Sequence, residues 1–342
     1  MSTLKVDAIR HNSATSDAIT TAADGTCTGK ITNYPHRNLF LNGALNISQR
    51  GDSFSSANAY MADQWYVFAT GSTSTRLTTS PPDGFTYYFR FPSATNSIII
   101  SQQIELDAQG KVGKYKNKTV TVSWYARTES SNTMYVDAAF KNASGGGDYT
   151  AVRDGTSDIK TLTSSWARYS STFTISATPH ANNKCFSIMI RTPSSGSGST
   201  GTLEATGFQC EFGDTATDFE HVAIAEELSR CQRYYQVVMS ETPLQRCGGL
   251  GGTPYSNGTR LYCPHVYSQE MRAKPTIASS GSSTFRSRLG NNIAFDGFSG
   301  TNDHNQIGAT FMTDSGHSNG NVGQYHWIET NANAFLTLSA EL

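Results

Sequence analysis

Lys118-Thr119-Val120-Thr121-Val122-Ser123-Trp124-Tyr125-Ala126 decides the fold class. Val120, Val122, Trp124 and Ala126 alternate with Thr119, Thr121, Ser123 and Tyr125, the periodicity of a strand with one buried face. Working outward, Met134, Val136, Ala138 and Phe140 repeat the pattern, and so do Phe186, Ile188 and Ile190. Phe208, Cys210 and Phe212 share a face of a further strand, and Trp166 to Ile175 supplies another. Trp65-Tyr66-Val67-Phe68 and Ile98-Ile99-Ile100 are short apolar runs suited to buried strands. Gly- and Ser-rich loops at Ser144 to Asp148 and Pro193 to Gly198 separate them. Short strands between such turns predict an all-β jelly roll or β-sandwich over residues 38–222. Trp65, Trp124 and Trp166 fall on apolar faces and are expected in its core.

The chain has 342 residues, enough for two or three domains. Hydrophobic residues reach only 37%, low for a self-sufficient globule, yet aromatics stand at 11% and charged residues at 15%. Disorder combines low hydrophobicity with high net charge and few aromatics, so this is an uncharged polar β protein instead. A net charge of −1 argues against a nucleic-acid partner. The densest basic stretch, Lys111, Lys114, Lys116 and Lys118, reads as a solvated loop. No run approaches the roughly 20 apolar residues of a membrane span, so no membrane insertion is expected. Met1 to Asp7 lacks the apolar core of a cleaved signal peptide. An extracellular-type surface without a secretion signal fits assembly in a host cytoplasm and release inside a virus particle. Six cysteines, Cys27, Cys185, Cys210, Cys231, Cys247 and Cys263, include no C-x-x-C pair. Mostly reduced thiols are expected, although the even count leaves disulfides open.

Residues 1–37 form a polar extended segment in which Leu4, Val6 and Ala8 alternate with Lys5 and Asp7, and Ala22 to Gly25 reads as a turn. So short a segment cannot enclose a core, and it is expected to order against other copies or a neighbouring protein. Between Ala223 and Tyr235, the residues Ile224, Leu228, Cys231 and Tyr235 make one helical stripe, with Glu226 spaced to pair with Arg230. This predicts a short linking helix over 223–236. Residues 237–342 are expected to form a second, distal β domain, with strands near 261–266, 276–278, 309–312, 325–328 and 335–338 and a flexible turn at Gly248 to Gly252. At roughly 25 cal/mol per Å² of buried apolar surface, a domain this small and polar is expected to need a subunit interface to offset chain entropy.

Several segments together resemble a known family. Asn38-Leu39-Phe40-Leu41-Asn42-Gly43, Gln49-Arg50-Gly51 and Ala62-Asp63-Gln64-Trp65 open like the carbohydrate-binding-module-like jelly roll of bacteriophage tail fibres. The likeness continues through Lys118 to Ala126, Leu162 to Tyr169 and Phe208 to Glu220. Glu226-Glu227-Leu228 with Cys231 to Gln236 resembles the helix that follows, and Met271 to Thr276 a recurrent feature of the second β domain. Leu4 to Ile9 is similar to fibre proteins of marine and cyanobacterial phages. The resemblance implies a homotrimeric fibre in the virion tail, attached through its N-terminus to hub, adaptor or baseplate proteins. Its distal domains would face a host-surface glycan or lipopolysaccharide. Cys210 departs from the family's usual aliphatic residue. Fold is weaker evidence than a site, and the family's module is often structural.

Two catalytic-looking motifs fail on context. Gly196-Ser197-Gly198-Ser199-Thr200-Gly201 satisfies G-x-G-x-x-G, but a strand-like run follows where a dinucleotide site needs a helix. Gly316-His317-Ser318-Asn319-Gly320 satisfies G-x-S-x-G, again without the helix a nucleophile elbow requires. His304, His317 and His326 with Asp303 and Asp314 show no metal-ligand spacing. No catalytic residue, metal or cofactor is therefore expected, and the chain is read as no enzyme. For sugar contact, Tyr66, Tyr125, Tyr255, Tyr262, Tyr325 and Trp327 are the exposed-aromatic candidates. The distal Tyr255, Trp327, Tyr325 and Tyr262 are preferred, since binding residues concentrate on loops. The expected function is a trimeric receptor-binding fibre; the alternatives are a purely structural tail or baseplate component and a polysaccharide depolymerase.

Overall fold

The computed structural model describes residues 6–10, 12–13, 18–25, 27–29, 35–54, 58–69, 73–92, 98–106, 115–130, 132–142, 149–178, 183–193, 201–240, 250–254, 261–280, 285–289, 291–295, 298–313, 326–330 and 334–342. Of these, residues 27–29, 149, 251–254, 286–289, 291–295, 299–304 and 326–330 are described by their backbone alone.

Alternating apolar residues between Phe40 and Phe212 fold into two antiparallel sheets that share one hydrophobic cluster. The six-stranded sheet runs, in spatial order, Ala167–Thr174, Thr119–Thr128, Leu203–Phe212, Tyr88–Phe91, Ser74–Leu77 and Ser53–Phe54. The facing sheet runs Tyr149–Arg153, Thr133–Lys141, Cys185–Arg191, Ile98–Glu105, Tyr66–Ala69 and Asn58–Tyr60, with Lys160–Thr161 beside Thr133–Lys141. From Ile98 onward the chain crosses between sheets at almost every step, the winding of a jelly roll. Trp65 and Trp124 are fully buried between the sheets, as their positions predict. Phe40 meets the Trp65 ring edge-on at 5.1 Å and Phe208 lies 4.5 Å from it. Trp166 corrects the expectation: it is half-buried at the rim, where its indole N–H donates to the Ser80 carbonyl at 3.0 Å.

One strand needs a device to keep its greasy side inward. Leu203 and Ala205 are buried at odd positions, whereas Phe208 and Cys210 are buried at even ones. The parity changes at Gly207, whose φ is +63°, and the register with Thr119–Thr128 shifts between Ser123 and Tyr125. A β-bulge thus inserts one residue and swaps the faces. Only glycine fits there, because a Cβ would lie 2.7 Å from the Phe85 ring and 2.8 Å from Tyr125.

Near the N-terminus, Ala8–Ile9, Ile19–Thr21 and Cys27–Gly29 form a small antiparallel meander. The turn expected at Ala22 to Gly25 closes through a Gly25 N–H to Ala22 carbonyl bond of 3.0 Å. The helix spans Ile224–Gln232, shorter than expected, and the chain is already a strand at Tyr235. Its stripe is also rotated, with Ile224 64% exposed and Glu227 and Cys231 buried. The cause is polar: the Glu227 carboxylate accepts the Asn42 N–H at 2.7 Å and anchors that face on the sandwich. Glu226 turns toward His36, 3.5 Å away, instead of toward Arg230.

Two further sheets follow. Tyr235–Ser240, Phe335–Ser339 and Thr276–Ser279 form one, with Phe335–Ser339 in the middle. Asn291–Phe295, Phe285–Leu289, His326–Thr330, Leu250–Pro254, Leu261–Val266, Gly308–Thr313 and Phe298–His304 form the other. A second cluster that includes Met239, Leu261, Phe285, Phe311, Leu336 and Leu338 holds them together. The turn expected around Gly248 to Gly252 is corrected in part, since Leu250 to Gly252 lie in a strand laddered to Leu261–Val266 and His326–Thr330. Pairing of Gly251 with Trp327 and of Gly252 with His326 fixes the conformational freedom that glycine would otherwise keep.

The closing residues pack on the sandwich through a charged joint. Arg50 lies 2.6 Å from Glu341 and 3.6 Å from Asp63, with its guanidinium 3.4 Å from the Tyr235 ring centre. Burial pushes the Glu341 carboxyl up to about 8 and raises Asp63, while Arg50 opposes both shifts. Gln49 donates to Asp63 at 2.6 Å and to the Tyr235 carbonyl at 2.9 Å.

Candidate functional site

The outer face of the six-stranded sheet carries the polar half of each alternation. Thr121, Ser123, Tyr125 and Arg127 stand there on one strand, with Glu204, Thr206, Gln209 and Glu211 on the next. This face has two ends with different fates.

At one end the chain covers itself. Glu211, 2% exposed, accepts the Thr217 N–H at 2.9 Å and the Thr217 hydroxyl at 2.6 Å. Gln209 donates to Glu211 at 2.9 Å and accepts the Glu220 N–H at 2.8 Å. Arg168 donates to the Ser123 hydroxyl at 2.9 Å and to the Thr217 carbonyl. Arg37 donates to the Thr217 hydroxyl at 2.9 Å and to the Asp218 carbonyl at 2.6 Å. Phe219 and His221 complete the cover against Phe85, with ring centres 4.8 Å and 5.4 Å away. The segment that leaves the last strand fills this end as a peptide would fill a groove.

At the other end the face is open among the described residues. A cleft of about 230 Å³ is lined by Arg90, Arg127, Thr128, Glu129, Ser164, Thr202 and Glu204. Register builds it, since Arg127 stands opposite Glu204 and Glu204 opposite Arg90 across three neighbouring strands. Glu204, 4% exposed, holds the Arg127 Nε and lies 3.3 Å from Arg90 Nη1. The Arg127 guanidinium sits 4.8 Å from the Trp166 ring centre, and the Tyr88 ring meets that indole edge-on at 5.5 Å. Burial raises the Tyr88 hydroxyl, which donates to the Thr79 carbonyl at 2.8 Å. Two arginines held by one buried carboxylate, one of them stacked on an aromatic, are a fixed set of donors facing solvent. Such groups suit hydroxyl, carboxylate or ring-oxygen acceptors on a polar ligand.

The aromatic candidates read from the sequence do not gather here. Tyr255 and Tyr325 lie outside the described residues, and Trp327 is described only by its backbone in His326–Thr330. Tyr262 is half-buried in Leu261–Val266, opposite Met312 and Thr253. Tyr66 packs edge-on against Tyr60 at 5.4 Å, and Tyr125 lies tilted against Phe85 at 5.2 Å. The loops at Gly196 and at Gly316 to Gly320, with His317 and Asp314, lie outside the described residues, and the side chains of His304, Asp303 and His326 do too. Among the described residues no group of His, Cys, Asp and Glu has the arrangement of a metal site. Cys185, Cys210, Cys231 and Cys263 are buried free thiols, with Cys185 pushed up to about 11 by burial. No helix among the described residues is long and apolar enough to cross a membrane.

No protein-family model and no curated protein matches the chain. Among solved structures, a CBM4 structure is similar at 19% identity over 50% of this chain and 98% of its own, with a TM-score of 0.32. A putative sugar-binding protein from Bacteroides thetaiotaomicron matches at 13% identity over 52% of this chain and all of its own, with a TM-score of 0.37. The enzymatically active domain of bacteriophage CBA120 tailspike protein 4 matches at 17% identity over 53% of this chain, with a TM-score of 0.33. That match spans only 22% of the tailspike chain. Likenesses this slight assign neither ligand nor activity.

Proposed function

We propose that the chain is a virion tail-fibre protein that assembles as a trimer and holds a host-surface glycan in the open cleft of its sandwich. The observation that carries this reading is the contrast on one sheet face: one end is filled by the chain itself, and the other presents Arg90, Arg127 and Ser164 to solvent. Single-site sugar contacts are weak, and three copies on a fibre multiply them through effective concentration. The N-terminal meander, with Val6 41% and Ile9 53% exposed, is the part of the chain that would meet hub, adaptor or baseplate proteins. The second cluster is modest among the described residues, and a small distal domain of low apolar content has little margin over chain entropy, which supports self-association. The proposed action is binding without cleavage.

Sizing the full chain in solution tests the assembly; a particle of three times 37.0 kDa is expected, and a clean monomer would sink the trimer. Adsorption of the chain to host cells tests the ligand. Trp166→Ala is expected to weaken adsorption about ten-fold, near 1.4 kcal/mol, by freeing the Arg127 guanidinium. Unchanged adsorption would move the site elsewhere, first to the distal domain over residues 237–342. Shortening of host polysaccharide on incubation would replace the binding reading with a depolymerase.

A further inference from the structure

Resting on that reading, we infer that the cleft selects an acidic glycan, one whose sugar carboxylate binds Arg90 in the place now taken by Glu129. The charges in the cleft do not balance without help. Arg90 and Arg127 share one buried carboxylate, Glu204, which leaves one positive charge in excess. Glu129 supplies the missing negative charge from the turn after Thr119–Thr128, with its oxygen 3.6 Å from Arg90 Nη2. That contact is loose: the Glu129 side chain is 70% exposed and the Arg90 side chain 36%. An exposed pair at this distance is weak and screened by salt. Glu204, by contrast, is buried and is held from two sides. The outer edge of Arg90 is therefore a carboxylate position with a replaceable occupant.

Guanidinium geometry favours a planar carboxylate, which accepts two parallel N–H bonds. Ser164, exposed on the cleft wall, offers its hydroxyl to the ring that carries it. A neutral sugar placed here would leave Glu129 on Arg90 and form no ion pair with it. A uronic acid would release Glu129 to water and take its place.

The full chain is titrated with tetragalacturonate, with the methyl ester of the same oligomer, and with a sugar phosphate. The acid is expected to bind at least ten-fold tighter than the ester, and to weaken as salt is raised from 50 to 500 mM. Glu129→Gln is expected to tighten the acid two- to five-fold, because the internal competitor is gone, and to leave the ester unchanged. Arg90→Gln is expected to abolish the preference for acid over ester; its melting curve reports whether the sheet has survived. Equal binding of acid and ester, weaker acid binding by Glu129→Gln, or a sugar phosphate preferred over the uronate would overturn the inference and leave glycan binding standing. Absence of binding by every saccharide, host glycans included, would overturn both.

Discussion

The two ends of the outer sheet face hold the same kinds of group, yet one is closed and the other open. Both set arginines against a nearly buried glutamate, Arg37 against Glu211 at one end and Arg90 and Arg127 against Glu204 at the other. At the closed end, backbone groups of Thr217, Asp218 and Glu220 take up the remaining hydrogen-bonding capacity. At the open end, the register supplies the charges but no chain segment among the described residues lies over them. The difference teaches that a polar sheet face is not a site in itself. It becomes one where the fold stops satisfying it.

The largest expected effect breaks the closed end. Glu211→Ala takes the acceptor from the half-buried Thr217 N–H, one acceptor from Gln209, and the carboxylate partner from Arg37. A loss of about 3–5 kcal/mol is expected in chemical denaturation. A loss under about 1 kcal/mol would show that Phe219, His221 and the bonds from Arg37, Arg168 and Gln209 hold the covering segment without Glu211.

A middle-sized effect comes from the joint, which reverses the arithmetic of the cleft by setting two carboxylates, Asp63 and Glu341, against one Arg50. Glu341 in the folded chain titrates up to about 8, above the ordinary carboxylate range. The folded state therefore holds a proton that the unfolded state has released, and stability from this group falls as pH rises from about 4.5 through 8. The stability of the native chain relative to Glu341→Gln should drop by roughly 1–3 kcal/mol between pH 5 and pH 9. A difference independent of pH would contradict that proton.

The smallest effect sharpens the contrast. Glu129→Gln should leave the denaturation midpoint within about 0.5 kcal/mol of the native chain, because its pair with Arg90 is exposed. A larger loss would mean that Glu129 belongs to the structure as Glu211 does.

Much of the sandwich was legible because its long strands face a dry core, and the alternations at Val120 to Ala126 and Met134 to Phe140 state that directly. Strands of two to four residues, such as Ser53–Phe54 and Ser74–Leu77, carry too few alternations to read. Phe285–Leu289 and Phe298–His304 were missed because Arg, Ser, Asn and Asp fill positions where a strand signal needs apolar ones. The bulge left a trace: the apolar parity of Leu203 and Ala205 disagrees with that of Phe208 and Cys210, and a glycine stands between them. The cleft left none. Arg90, Arg127 and Glu204 are far apart in the chain and meet only through strand register. Trp166 misled because its apolar surface serves a guanidinium rather than the core.

The central place of Phe335–Ser339 in its three-stranded sheet has a consequence for synthesis. Ribosomes make that strand well after the strands on either side of it, Tyr235–Ser240 and Thr276–Ser279, have emerged. The sandwich's last strand, Leu203–Phe212, leaves the ribosome early enough for that half to close during translation. The distal half must wait with two bare strand edges, which are templates for pairing with other chains. On a polysome crowded with identical nascent chains, the interval before residue 335 is when mispairing between copies competes with correct assembly.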